Sequence, residues 1–147
     1  MRQNLMNKIT VKEVDFTHHK GDLKNIRTEV FIKEQHVPVE LEWDEFDRNA
    51  THILAYFNSI PVGTARLINN ELIGRMAVLK TYRGLGVGKK MLEFLMTLAH
   101  KKGMNTIQLS AQKHAVEFYK KQGFEICSDE YLDAGIPHYT MKYTKTS

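Results

Sequence analysis

The sequence predicts an α+β fold: a mixed, mostly antiparallel sheet with a parallel pair at its centre and helices on both faces. Three observations carry this. Short apolar runs bounded by polar breaks, one of them alternating apolar and polar residues over Ile9 to Val14, read as strands. Apolar residues recur at helical spacing in two longer stretches, Leu23-Ile26-Val30-Phe31 and Val87-Met91-Leu95-Leu98. A strand, a helix and a strand then follow one another from Leu72 to Ser110, an order that calls for a right-handed crossover between parallel strands.

Ile9 to Val14 is a half-buried strand by its alternation. The first helical pattern covers about Lys20 to Glu34, and Val37-Pro38 ends it because proline disfavours helical geometry in the residue before it. Glu40 to Asp47 is acidic and loop-like. His52 to Phe57, Val62 to Ile68 and Leu72 to Leu79 are separated by Asn58-Ser59 and Asn69-Asn70, as strands of a meander are. The second helix has Lys101-Lys102 in its last turn, where cations favour the dipole, and Gly103 as its stop. Thr106 to Ser110 is a strand, and His114 to Lys121 a helix ended by Gly123. Phe124 to Cys127 and Tyr139 to Tyr143 close the sheet.

The 147 residues suit one domain spanning 1–147. A chain of that length buries roughly 70% of its unfolded surface and needs no staple. Its one cysteine, Cys127, excludes an internal disulfide and a multi-thiolate zinc site, and no metal-ligand spacing appears. Met1 to Lys8 lacks the apolar core of a secretory leader, and Met91 to Ala99 is too short to span a bilayer. A cytoplasmic protein with no membrane partner is the expectation. The net charge of +4 would suit an anionic partner. The lysines are dispersed and no aromatic RNA-binding signature is present, so a pocket for a small polyanion is expected and nucleic acid is not.

The chemistry sits in Arg83-Gly84-Leu85-Gly86-Val87-Gly88-Lys89, between an apolar strand and an amphipathic helix. Glycines let backbone approach a ligand closely. Amides at a helix start lack helical partners and face outward at the positive end of the dipole, which makes an anion site suited to a diphosphate. Arg83 adds a charge. The P-loop pattern needs glycine at Arg83 and a hydroxyl residue at Lys90, and the dinucleotide fingerprint needs G-x-G-x-x-G. Neither fits.

Arg83-x-x-Gly86-x-Gly88 resembles the R/Q-x-x-G-x-G/A signature of the GNAT superfamily of N-acetyltransferases. Gln112-Lys113-His114-Ala115-Val116-Glu117-Phe118-Tyr119-Lys120-Lys121-Gln122-Gly123-Phe124 resembles that family's N-x-x-A-x-x-F-Y-x-x-x-G-F segment, with Gln112 where asparagine is usual. Val30 to Pro38, Asp44 to Asp47 and Gly135-Ile136-Pro137-His138 are similar to a narrower bacterial subgroup, the ElaA/YjcF-like proteins.

The resemblance implies that the fourth and fifth strands splay apart. The pantetheine arm of acetyl-CoA then runs along Met76-Ala77-Val78, and the diphosphate sits on the amides of Gly84, Leu85, Gly86, Val87, Gly88 and Lys89. Gln112 and Phe118 would complete the cofactor site. Direct transfer to a primary amine of a small molecule or peptide, with CoA as product, is the implied reaction.

Tyr119 matches a tyrosine that protonates the leaving thiolate, a role suited to a phenol of pKa about 10; the plainer role is packing beside Phe118. Glu34 and the acids from Glu40 to Asp47 form an arc that would draw a cationic amine and take its proton, or else a solvated loop. His138 is a further candidate base, with a structural hydrogen bond as its alternative. Trp43 would wall the acceptor pocket or anchor the loop, and Arg66 and Arg75 would serve an anionic acceptor. Cys127 reads as a small buried hydrophobe. A homodimer is left open, as is a CoA-binding sensor that has lost its chemistry.

Overall fold

The computed structural model describes residues 8–145. The reading of Met1 to Lys8 as lacking a leader falls, but for Lys8, outside that range. Four strands come first: β1 (Ile9–Val14), β2 (Thr51–Phe57), β3 (Ile60–Ile68) and β4 (Leu72–Val78). The second group is β5 (Thr106–Gln112), β6 (Glu125–Ile126), β7 (Tyr131–Asp133) and β8 (Ile136–Thr144). They make one sheet in the order β1-β2-β3-β4-β5-β8-β6, with β7 on β8. Among the described residues its only parallel pair is β4 with β5 at the centre, and the pairings on either side are antiparallel. The predicted fold class is the observed one.

Helices cover both faces. On one, α1 (Phe16–Arg27) continues as a π-helical stretch, Thr28–Glu34. Leu23, Ile26, Val30 and Phe31 pack there on Leu54 and Ala77. A single turn, α2 (Val39–Glu42), follows it. On the other face, α3 (Val87–Lys101) and α4 (Val116–Lys121) bury Met91, Leu92, Leu95 and Tyr119 against Ile53, Ala65, Leu109 and Met141. Gly63 permits this close approach, since a Cβ there would lie 3.1 Å from Val87 Cγ1 and Met91 Sδ. Among the described residues no helix is long and apolar enough to cross a membrane.

Three local expectations need correction. α1 starts at Phe16 and not near Lys20, because Asp15 caps it, accepting from the His18 amide at 3.0 Å. Glu40 to Asp47 is not a loop but α2 followed by a 3₁₀ turn at Glu45–Arg48. β7 is a strand the sequence did not announce. It pairs with β8 through a two-residue turn, Ala134-Gly135, both at positive φ. Alanine is a poor sign of such a turn, which usually carries Asn or Gly there.

Candidate active site

β4 and β5 touch only at their beginnings, where Leu72 faces Gln108 and Ile73 faces Leu109. Beyond those pairs they part. The cause lies partly in β4 itself. Thr64 pairs with Ala77 but Arg66 with Gly74, so β4 carries an extra residue, and Arg75 adopts φ +51° there. Such a bulge bends the strand that carries it. Met76, Ala77 and Val78 follow the bulge and line one arm of the opening. Ser110, Ala111 and Gln112 line the other. Side chains alternate along β4, with Met76 and Val78 toward α3 and α4 and Ala77 toward α1.

The glycine-rich segment closes the end of the β4 arm. After a 3₁₀ turn at Lys80–Tyr82, Gly84 and Gly86 take φ +80° and +97°, a region that other residues adopt at a cost. Gly86 is the N-cap of α3, whose first internal bond runs from the Lys90 amide to the Gly86 carbonyl at 3.1 Å. No side chain caps this end and no acid stands in its first turn. The amides ahead of Lys90 therefore have the positive end of a 15-residue helix behind them. Leu85 is half-buried, Val87 buried and Lys89 exposed. Gly88 lies under Phe118, whose Cζ would be 3.5 Å from a Cβ at that position. A methyl group there would make ordinary contact with the ring.

Tyr119 reaches across the opening from α4. Its hydroxyl lies 3.5 Å from Met76 Sδ, and its ring packs edge-on against Phe118 and Phe124. Burial pushes its pKa up to about 12, so the phenol keeps its proton across the physiological range.

His138, on β8, stands opposite Gln112 and Tyr131 in the sheet register. It is buried, and its Nδ1 donates to the Ile136 carbonyl at 2.6 Å. In the neutral ring that leaves Nε2 unprotonated. Tyr131 stacks on the ring and also bonds Ser110 and Thr140 through its hydroxyl.

Glu34, Arg83 and Gln112 are each engaged with protein. Arg83 donates to both Glu34 carboxylate oxygens at 2.7 Å and, through Nε, to the Val78 carbonyl at 2.9 Å. The Arg83 bond holds the Glu34 carboxyl below the usual carboxylate range. The Gln112 amide exchanges hydrogen bonds with Gln35, at 2.7 and 3.3 Å. Sequence reasoning missed Gln35. Its signal was its place within the Val30 to Pro38 stretch, directly after the helix.

The acidic arc is largely neutralised. Arg27 donates to Glu42 at 2.8 Å and to Asp47 at 2.7 Å. Arg66 binds Asp44 and Asp47 at 2.7 and 2.8 Å, and Arg75 binds Glu42 and Asp44 at 3.1 and 3.2 Å. Three guanidinium groups thus meet three carboxylates. Burial raises the Glu42 carboxyl, against the pull of Arg27 and Arg75. Burial also pushes Asp47 up, but Arg27 and Arg66 outweigh it and leave Asp47 lowered. Arg66 holds Asp44 low. Neither the free acidic surface nor the free basic pocket of Arg66 and Arg75 exists; of the arc's acids Glu34, Glu40 and Glu45 stay exposed, and Glu34 is held by Arg83. Trp43 anchors the segment, its ring 4.7 Å from the Arg27 guanidinium and 5.1 Å from Lys24 Nζ. Cys127 is exposed and not buried, on the far side of β8 from β5.

Comparison with known proteins agrees with this geometry. The model of the acetyltransferase (GNAT) domain matches residues 9–145. The uncharacterized N-acetyltransferase YjcF of Bacillus subtilis is 43% identical over 120 residues, 79% of this chain and 86% of that protein. The crystal structure of Escherichia coli ElaA superposes with a TM-score of 0.79 at 29% identity, covering 92% of this chain and 99% of that one. Arabidopsis thaliana Naa50, solved with the bisubstrate analogue CoA-Ac-MVNAL, gives 0.75 at 26% identity, covering 94% and 99%. With the splayed central pair, the uncapped glycine turn and these likenesses in hand, the chain belongs to the GNAT acetyltransferase family, as an acyltransferase of its ElaA/YjcF-like branch.

Proposed function

We propose that this protein moves acetyl from acetyl-CoA to a primary amine of a small molecule or peptide, directly, within a ternary complex. One observation carries the reading: β4 and β5 part after two residue pairs, and the buried Tyr119 hydroxyl spans the gap to Met76. The residues present fit the cofactor. The uncapped amides at the start of α3 suit a diphosphate, and the parted edge of Met76-Ala77-Val78 suits a peptide-like arm. Gly84, Leu85, Gly86, Val87, Gly88 and Lys89 would hold the phosphates, with Phe118 beneath Gly88.

Acetyl-CoA supplies the acetyl group as a thioester, whose C–S bond breaks as the amide N–C bond forms. Tyr119 holds a proton at its hydroxyl, available to a departing thiolate, and burial keeps that proton in place. Backbone amides near Ala77 and Val78 would hold and polarise the thioester carbonyl. His138 has its Nδ1 engaged by the Ile136 carbonyl, which leaves Nε2 as the ring nitrogen open to a proton, and it is our candidate to take the amine's proton. Glu34 is poorly placed for that task, because Arg83 engages both its oxygens and lowers its basicity. Cys127 is no nucleophile for this site: two strand spacings separate its strand from β5, on the order of 10 Å.

The acceptor stays a class, since Glu42, Asp44 and Asp47 are spent on arginines and do not select for a cation. Naa50 was captured with a peptide-bearing analogue, which makes peptide amines a sensible part of the panel. The test is thiol release from acetyl-CoA with a panel of polyamines, amino sugars and peptides, alongside calorimetry of acetyl-CoA. Amine-dependent release supports the proposal. Tight binding with no release from any amine would point to a sensor.

A further inference from the structure

The π-helical end of α1 sends two adjacent side chains to opposite arms of the β4–β5 opening. Glu34 grips Arg83, and Arg83 in turn grips the carbonyl of Val78, the last residue of β4. Gln35 exchanges amide hydrogen bonds with Gln112, the last residue of β5. The helix end is itself fixed, because Val30 and Phe31 pack on Ala77 and Leu54. Its backbone is wound to suit: the Gln35 amide bonds the Val30 carbonyl, five residues back, at 3.1 Å. π-turns of this kind recur at functional sites.

Resting on the acetyltransferase reading above, we propose that Glu34 and Gln35 form a cross-brace that sets the aperture between β4 and β5. Arg83 is then a positioning residue within the brace, and not a ligand of the diphosphate. The geometry argues this directly. All three nitrogens of the Arg83 guanidinium have protein partners at 2.7 to 2.9 Å, and Glu34 cancels its charge. A phosphate approaching Arg83 would have to displace a bidentate carboxylate. The amides at the start of α3 ask for no such exchange. Gln35 adds the second anchor, without which the brace would hold one arm alone.

Affinity for CoA, measured by calorimetry, separates the two roles of Arg83. As a brace, Glu34→Ala and Arg83→Ala each weaken CoA by roughly two- to fivefold, the scale of one exposed ion pair, and the double variant is no weaker than either. Arg83→Lys then behaves like Arg83→Ala, because a lysine cannot fork to Glu34 and reach Val78 together. As a phosphate ligand, Arg83 would be freed by Glu34→Ala and CoA would bind more tightly, while Arg83→Lys would keep most affinity. Either of those results overturns the brace. Gln35→Met keeps the side-chain volume, loses both amide bonds and should weaken CoA as well; wild-type affinity in it would remove Gln35 from the proposal. Hydrogen exchange on the protein without CoA decides independently. The brace predicts faster exchange at the Tyr82 and Arg83 amides in Glu34→Ala and Arg83→Ala alike, with the β2 and β3 amides unchanged. Unchanged exchange at Tyr82 and Arg83 would overturn it even if the wild type bound no CoA, a result that would separately sink the acetyltransferase reading.

Discussion

Tyr119 Oη lies 3.5 Å from Met76 Sδ, joining a helix after β5 to the strand before the glycine turn. The contact closes the inner end of the opening between β4 and β5. It also removes the phenol from water, which is why its acidity falls. Packing and chemistry therefore meet in one side chain.

Gly86→Glu should abolish acetyl-CoA binding. The new carboxylate would stand where the helix start attracts an anion, and would repel the diphosphate. Gly86 sits at φ +97°, so any L-residue adds strain of about 1–2 kcal/mol there. Gly86→Asn controls for that strain, since asparagine tolerates such a backbone without a charge. Calorimetry should find binding weakened in the asparagine variant and absent in the glutamate variant, with both folded by circular dichroism. Equal affinities in the two would show that charge at this position does not matter.

Arg27→Met should destabilise the fold by about 3–5 kcal/mol, because it takes a buried arginine from two buried carboxylates and leaves Glu42 with Arg75 alone and Asp47 with Arg66 alone. Thermal unfolding should move down by on the order of 10 °C. Asp47→Asn should also lower the midpoint, since it weakens bonds to both Arg27 and Arg66. Glu45→Gln, at an exposed site, should change stability by less than about 0.5 kcal/mol. A midpoint for Arg27→Met within about 2 °C of wild type, roughly the effect of 1 kcal/mol at this size, would mean that the arginine–acid cluster contributes little.

The raised pKa of Tyr119 makes stability depend on alkaline pH. The phenol stays neutral to about 12 in the folded chain but ionises near 10.0 once unfolded. Its contribution is therefore complete below pH 10 and is lost as the pH climbs towards 12. Urea midpoints should fall between pH 9 and 11 more in the wild type than in Tyr119→Phe. The excess loss should be roughly 1.4 kcal/mol for each pH unit climbed above 10. Parallel declines in the two proteins would place the phenol in contact with water.

Much of this fold is legible in the sequence, and the reasons are local. Ile9 to Val14 alternates, and β1 has those very bounds. The meander and the crossover follow from breaks at Asn58-Ser59 and Asn69-Asn70 and from the glycine turn. The arginine–acid cluster is not legible. Arg27 finds Asp47 twenty positions away and Arg83 finds Glu34 forty-nine away, and periodicity says nothing of which charges a sheet will bring together. An acidic run therefore reads as a free surface. Gln35 and Gln112, seventy-seven apart, carry no motif at all for the pairing they make.

The most direct test of the account is Tyr119→Phe, with turnover and acetyl-CoA affinity measured on the same preparation. The ring and its packing against Phe118 and Phe124 remain, while the hydroxyl facing Met76 goes. Loss of a positioned proton donor should lower kcat by about a hundredfold to ten-thousandfold with an accepted amine. The dissociation constant for acetyl-CoA should stay within about twofold, because the anion site at Gly86 is built elsewhere. Wild-type kcat in the variant would contradict the account and leave Tyr119 a packing residue.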